Sequence, residues 1–223
     1  MNKYSRIRLY LNRSESFANR TVSLLERMHL EKGFSKEVDD FQDGLLRAGI
    51  QGEEVYDQVM DFSSSLADEY ILLTDGMYSA VLVSMYHLWE HDIRDLCKHK
   101  PVLSATILMD GDEPLTDQKI QGYKYEKLKS LLMFWGVQEP IFNQVNLLRL
   151  VANTAKHGSG PSATELLSVN KRYYCKLALL RDLEISDAGL SYNEIEPLTV
   201  DDIKYFASVL SAFWVELGKQ VNI

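Results

Sequence analysis

Apolar residues return every third or fourth position along most of this chain, the spacing of helices that pack on one face. From Phe17, Leu24, Leu25 and Met28 keep that spacing, and Gly33 followed by Ser35 reads as a stop and a fresh cap. An acidic helix is predicted over residues 35–46, ending in the cluster Gly44, Gly49 and Gly52. The next begins near Glu53 with Val55, Val59, Phe62 and Leu66 on one face, and either continues or breaks near Asp75-Gly76. Beyond that point Tyr78, Val81, Leu82, Met85, Trp89, Ile93 and Leu96 form a strong apolar stripe, which marks the central core helix.

Residues 101–116 contain Pro, Gly and Asp without sustained helical spacing and read as a long surface loop. A helix follows over 123–135, with Leu128, Leu131, Leu132 and Trp135 inward and Gly136 closing it. Pro140 suits the first turn of the next helix, whose Ile141, Val145, Leu148, Ala152 and Ala155 repeat at three and four. Gly158-Ser159-Gly160-Pro161 stops that helix. Ser162 with Glu165 then has the capping-box pattern, and Thr199 with Asp202 predicts a looser cap before the last helix, where Ile203, Phe206, Leu210, Phe213, Trp214 and Leu217 face inward. Ser186-Asp187-Ala188-Gly189 predicts a short β-hairpin near 183–192. With no repeat and no linker, the expectation is one all-α domain over 1–223, a bundle of about six to seven helices. Its N-terminal helices occupy 1–75 and its core bundle 76–223.

Composition adds boundaries to that picture. The 223 residues are 46% apolar and 25% charged, which excludes a disordered or collagenous chain. The two cysteines, Cys97 and Cys175, stand apart, so neither a disulfide framework nor a Cys-based zinc site is expected, and a reducing, cytoplasmic setting follows. The longest strongly apolar stretch without formal charge, residues 76–89, is shorter than a membrane span, and the N-terminus carries basic residues but no apolar signal core. No membrane partner is expected.

The net charge of −8 argues against coating nucleic acid nonspecifically, but the charge is segregated. Residues 1–36 carry eight basic and three acidic side chains, whereas 37–75 carry Arg47 alone against eleven acids. Residues 138–181 hold six basic and two acidic side chains, and 182–223 hold two and eight. A local phosphate site in the basic 138–181 segment therefore remains compatible with the acidic total. The acidic 37–75 segment fits a basic partner, the basic N-terminal helix of its own chain, or a solvated face.

The chemistry concentrates on the helix that opens at Pro140 and ends at His157. On a helical wheel Asn146, Arg149, Asn153, Lys156 and His157 fall within about 100° of one another, while most of the remaining circumference is apolar. A mostly buried helix with one strip of cations, amides and a titratable imidazole suits phosphodiester chemistry, in which His moves a proton and Arg or Lys offsets charge on the phosphoryl oxygens. The same strip also suits a solvated helix C-terminus, where Lys and His favour the dipole.

The run Leu148-Arg149-Leu150-Val151-Ala152-Asn153-Thr154-Ala155-Lys156-His157-Gly158, late in a helical chain and closing its helix, resembles the signature of the HEPN superfamily. Residues 79–98, with Trp89-Glu90-His91, are similar to the helix that packs against the motif helix in such proteins. Asn153 and His157 match the motif's polar residue and His. Its Arg position is Ala152 here, and the nearest Arg is Arg149, one turn earlier.

This resemblance implies a metal-independent endoribonuclease without cofactor, of a prokaryotic toxin, abortive-infection or anti-phage defence system. His157 would assist 2′-hydroxyl attack on the adjacent phosphate or protonate the leaving oxygen, Arg149 or Lys156 would stabilise the transition state, and Asn153 would orient the imidazole or substrate. Two motif helices would meet in a homodimer. The RNA substrate would touch Lys171, Arg172 and Lys176 in the basic segment, and an antitoxin or defence-system protein would be a partner. Glu90 would pair with the motif cation or, as a surface residue, with Arg94 at i+4. The alternative from another class is a non-catalytic HEPN-like module that binds protein or nucleotide, favoured by Ala152.

His87-Leu88-Trp89-Glu90-His91 matches the H-x-x-E-H pattern of the inverzincin metallopeptidases. Those enzymes need a further carboxylate ligand in a large α/β setting, which this chain does not offer, so no metal site is expected. The sequence holds no Walker-type loop, nucleophile elbow or dinucleotide fingerprint.

Overall fold

The computed structural model describes residues 3–27, 31–98, 109–110, 113–114, 117–181, 183 and 196–220. Nearly all of them are helical, as the apolar spacing predicts. Helices α1 (Lys3–Arg27), α2 (Glu31–Arg47) and α3 (Glu53–Lys98) are followed by two dipeptide strands, β1 (Met109–Asp110) and β2 (Glu113–Pro114). Then come α4 (Asp117–Gln121), α5 (Tyr125–Phe134), α6 (Glu139–His157), α7 (Pro161–Val169), α8 (Lys171–Arg181) and α9 (Val200–Gln220).

Several boundaries differ from the pattern reading. Gly33 does not stop a helix but lies inside α2, two residues from its start. Of the two alternatives at Asp75-Gly76 the continuous one holds, and helix α3 runs unbroken for 46 residues through Gly76. A single glycine costs a helix about 1 kcal/mol, too little to end one whose far half is packed into the core. Part of the expected loop over 101–116 forms a ladder instead, Met109 opposite Pro114 and Asp110 opposite Glu113 in antiparallel register. The dipeptide Asp110-Gly111 is a turn signal that a helix-based reading passes over. The hairpin expected near 183–192 falls on residues that, apart from Leu183, lie outside the described ones. By length and composition alone α3 also contains an 18-residue window, of mean hydropathy 1.2, apolar enough to cross a membrane. One third of that window is buried, and beyond it Trp89, Ile93 and Leu96 pack into the core.

The core forms where α3, α6 and α9 meet. Phe213 of α9 lies edge-on to Trp89 of α3 at 5.3 Å and to Phe142 of α6 at 6.0 Å, all three fully buried. Trp214 beside it reaches Tyr10 of α1 at 5.2 Å. Each contact joins a different pair of helices, so these rings set the spacing of the bundle. Helix α1 lies along α9 and is tied to α3 by charge. Arg13 bonds the buried Asp92, and Asp95 accepts from Tyr10 Oη at 2.5 Å and from Arg6 at 3.3 Å. Burial first, then the Asp95 carboxylate, pushes the Tyr10 hydroxyl up to about 12. The basic N-terminal helix thus spends these cations on the far half of α3 rather than on the acidic 37–75 segment.

A second buried charge group fastens α8 and α9 to the middle of α3. Lys176, 1% exposed, donates to Asp202 Oδ2 and to the Pro197 carbonyl, both at 2.9 Å. Asp202 also accepts from the Thr199 amide at 2.8 Å and the Thr199 hydroxyl at 3.1 Å, which is the cap expected for the last helix. Asp75 of α3 accepts from the Leu198 amide at 3.1 Å. By contrast, Ser162 does not cap α7, because Gly160 holds the N-cap position and Ser162 lies inside the helix.

Asp75 is desolvated and sits near Asp202, so its carboxyl is pushed up to about 6 against the pull of Lys176 and of the Leu198 amide. A raised carboxyl pKa penalises the folded state as the group ionises. Its stabilising contribution is complete at pH 3.8 and below, and is lost as pH rises through about 6. Asp75→Asn is therefore expected to be more stable than wild type by ~2 kcal/mol at neutral pH. The gap should close towards pH 4 in urea denaturations across the range. A gap that stays constant with pH removes this assignment.

Candidate functional site

Helix α6 starts with Pro140 in its first turn and ends at Gly158, whose φ of 72° only glycine adopts readily and whose amide returns to the Thr154 carbonyl at 2.8 Å. Between these ends nine residues are buried, from Phe142 to Ala155, against α3, α7, α8 and α9. Thr154 is among them, fully buried, and its hydroxyl has no hydrogen-bond partner among the described residues. The polar strip read from the wheel is present and changes character along its length. Arg149 is largely buried, Asn153 is half-buried, and Lys156 and His157 are exposed in the last turn.

Arg149 is fully engaged within the chain. Its Nε donates to Asn146 Oδ1 at 2.8 Å, and its Nη2 donates to Glu165 Oε2 of α7 at 3.1 Å. Its guanidinium carbon stands 5.0 Å from the centre of the Tyr125 ring of α5. Tyr125 Oη in turn donates to the Phe142 carbonyl at 2.9 Å, and burial pushes its hydroxyl pKa up. The planar guanidinium meets a carboxylate, an amide and a ring face together, which joins α5, α6 and α7.

Beside it on α3, Glu90 takes the surface alternative. Its Oε1 accepts from Arg94 at 2.9 Å and from Tyr86 Oη at 3.5 Å, and its Oε2 lies 3.7 Å from His87 Nδ1. Arg94 reaches on to the carbonyls of Gln121 and Tyr123, both at 2.8 Å. The Tyr86 hydroxyl, pushed up first by burial, feels Glu90, Arg149 and Arg94 together, so these charges form one neighbourhood. His91 turns the other way, 3.4 Å from both Asp92 and Arg13. Among the described residues no set of three His, Cys, Asp or Glu side chains could hold a metal ion.

Of the expected phosphate contacts, Lys176 is corrected. It lies on the inward face of α8, where its ammonium is held by Asp202 and the Pro197 carbonyl and cannot reach a substrate. A lysine on a short helix with Lys171, Arg172 and Arg181 looks solvated by composition, and only its partner twenty-six residues on reveals otherwise. Lys171 and Arg172 are exposed at the start of α8, and Arg172 pairs with Glu196 at 3.1 Å. That end is far from the motif. A side chain at Gly158 would meet the Arg181 carbonyl at 3.6 Å, so the C-terminus of α8 abuts the end of α6, and Lys171 begins about 15 Å further along α8. The backbone of the exposed Arg181 thus lies beside Gly158, next to His157. Its position in the basic segment was visible in the sequence, but its proximity was not.

Pooled at the end of α6, then, are an exposed imidazole, the exposed Lys156, the nearby Arg181 and the half-buried Asn153 one turn inside. His157 makes no hydrogen bond or ion pair among the described residues. Such a set can exchange a proton and attract a phosphate. Arg149 is held away from this role by Glu165. No family model, curated protein or solved structure matches the chain.

Arg149→Ala is expected to lower the unfolding free energy by ~2–3 kcal/mol, since it leaves Asn146 and the Tyr125 face without their partner. Glu165→Ala, at the exposed end of the pair, should cost only about 0.5–1 kcal/mol. Equal losses in urea denaturation would mean that the ion pair alone, and not the three-helix junction, carries the effect.

Proposed function

We propose that this chain is a HEPN-like, metal-independent endoribonuclease that acts as a homodimer in the prokaryotic cytoplasm, in a toxin or anti-phage defence system. The observation that supports it is the end of α6: a helix with nine of its nineteen side chains buried leaves His157 and Lys156 exposed at its last turn, with Asn153 one turn inside and the backbone of Arg181 alongside.

Cleavage by 2′-hydroxyl attack needs one group to take the hydroxyl proton and another to give a proton to the departing 5′ oxygen. One chain offers one imidazole at this place. Two copies brought together at their α6 ends supply two, one neutral and one protonated, which is the reason for the dimer. Lys156 and Arg181 face the phosphate and offset the charge that grows on its non-bridging oxygens. Asn153 orients the imidazole or the ribose. Arg149 acts as a positioning residue, holding α6 in register with α5 and α7. Glu90 supports the neighbouring charges through Arg94 and Tyr86. Lys171 and Arg172 lie further along α8, where a longer RNA could reach them.

A second reading has its own observation. Arg149, the nearest guanidinium to the motif, is neutralised by Glu165, and Ala152 stands where the family carries its arginine. That pattern favours a non-catalytic bundle that binds protein or nucleotide.

The two separate on one substitution. Purified full-length wild type, with a chelator present, is expected to cut a fluorescent RNA oligonucleotide to a 2′,3′-cyclic phosphate and a 5′-hydroxyl. His157→Ala should slow cleavage by about a hundredfold or more, and light scattering should give the mass of a dimer. Wild type that leaves RNA intact and behaves as His157→Ala does in cells and in solution would establish the binding module instead.

A further inference from the structure

The outer half of α3 carries an apolar surface that stays exposed among the described residues. Over residues 53–69 α2 lies against it, through the stacking of Phe41 on Phe62 at 4.2 Å. On the helical wheel Tyr56, Met60, Ala67 and Ile71 fall in a sector about 60° wide, turned away from Phe62. Tyr56, Met60 and Ile71 are 64%, 52% and 41% exposed. Asp57, Asp61 and Asp68 form a parallel row directly beside this stripe, on the side away from α2. Among the described residues no ion pair engages them or the other acids between residues 37 and 69.

The stripe ends in a cavity of about 480 Å³ bounded by α3, the end of α1 and the start of α9. Ile71, Thr74 and Tyr78 line it from α3, opposite Leu198 and Lys204. Asp75 also lines it. Its side chain is 1% exposed and one oxygen serves the Leu198 amide, but Oδ2 has no hydrogen-bond partner among the described residues. A buried carboxylate oxygen without a donor is costly, and a cation arriving in the cavity would supply one. Lys204 at the rim is already held by Glu26 at 3.1 Å.

We propose that the outer half of α3 and the cavity at its base form a docking surface for a basic amphipathic helix of another protein. Its apolar face lies along Tyr56, Met60, Ala67 and Ile71, its Lys and Arg side chains lie against Asp57, Asp61 and Asp68, and one of them enters the cavity towards Asp75. The exposed stripe from Tyr56 to Ile71 is about 23 Å long, enough for some four turns of partner helix. Charge selects the occupant. A second copy of the same surface would set eleven acids and one arginine against the same eleven and one, and like charges across an interface repel. An RNA strand or an anionic lipid surface meets the same repulsion. The chain's own basic helix, α1, has its apolar face committed to α9. This inference is independent of the ribonuclease reading, since it involves neither α6 nor His157.

The test uses full-length protein and a fluorescent synthetic peptide of Leu and Lys, about 18 residues long, with its leucines at i, i+3, i+4 and i+7. A scrambled peptide of the same composition, which has no apolar face, is the control. Anisotropy titrations should give at least about tenfold tighter binding of the amphipathic peptide. The exposed pair Tyr56→Ser and Met60→Ser should weaken it about fivefold or more. Asp57→Asn with Asp61→Asn should flatten its salt dependence, and Asp75→Asn should weaken it at any salt. Circular dichroism melts verify that each variant is folded. Equal binding of both peptides, or indifference to the Tyr56 and Met60 substitutions, overturns the proposal. So does wild type that self-associates or binds vesicles of anionic lipid through these same residues.

Discussion

The constraint on which the bundle turns is the burial of α6. Nine of its side chains are enclosed by α3, α7, α8 and α9, and a helix enclosed that far can carry polar groups only along one narrow strip or at its end. The strip therefore becomes a junction where Arg149 meets Tyr125, Asn146 and Glu165. The end becomes the only part of α6 where Lys156 and His157 reach solvent. The difference between the positioning role of Arg149 and the chemical role proposed for His157 follows from two turns of helix.

Two further groups of buried charge hold the layers around that helix. On one side Asp92 and Asp95 bind α1 to α3 through Arg13, Arg6 and Tyr10. On the other, Lys176 and Asp202 bind α8 to α9, and Asp75 adds the Leu198 backbone. A buried ion pair adds little to stability compared with an apolar pair, but it permits few alternatives, because each misplaced partner leaves a charge in the core. The aromatic contacts at Phe213 supply the cohesive energy, and the charges select the order in which α1, α8 and α9 are laid against α3. Helix α3 is long enough to serve both ends: its second half is core, and its first half stands outside with α2 beside it.

Local signals in the chain were read well where they act over a few residues. The span of α6 followed from Pro140 and Gly158, the cap of the last helix from Thr199 and Asp202, and the inward faces of α5, α6 and α9 from apolar spacing. Signals that depend on a distant partner were misread or left open. Gly33 reads as a stop and Gly76 leaves a break open, since the packing that carries a helix through a glycine is not written beside it. Ser162 with Glu165 had the spacing of a capping box, yet Pro161 opens α7 one residue earlier and Glu165 turns to Arg149.

From composition and spacing alone this protein was bound to be a helical bundle with one polar strip on its most enclosed helix and its acids gathered in the first third of the chain. Those properties are short-range or additive, so they survive without a fold. Which charges are spent and which are free was settled by contacts across the bundle. Lys176 is consumed by Asp202, Arg149 by Glu165, and Glu90 by Arg94, while His157, Arg181 and the acids beside Tyr56 stay open to solvent. An ion pair forms between side chains that packing brings within a few ångströms, whatever their separation in sequence, and that distance exists only once the helices have been laid together.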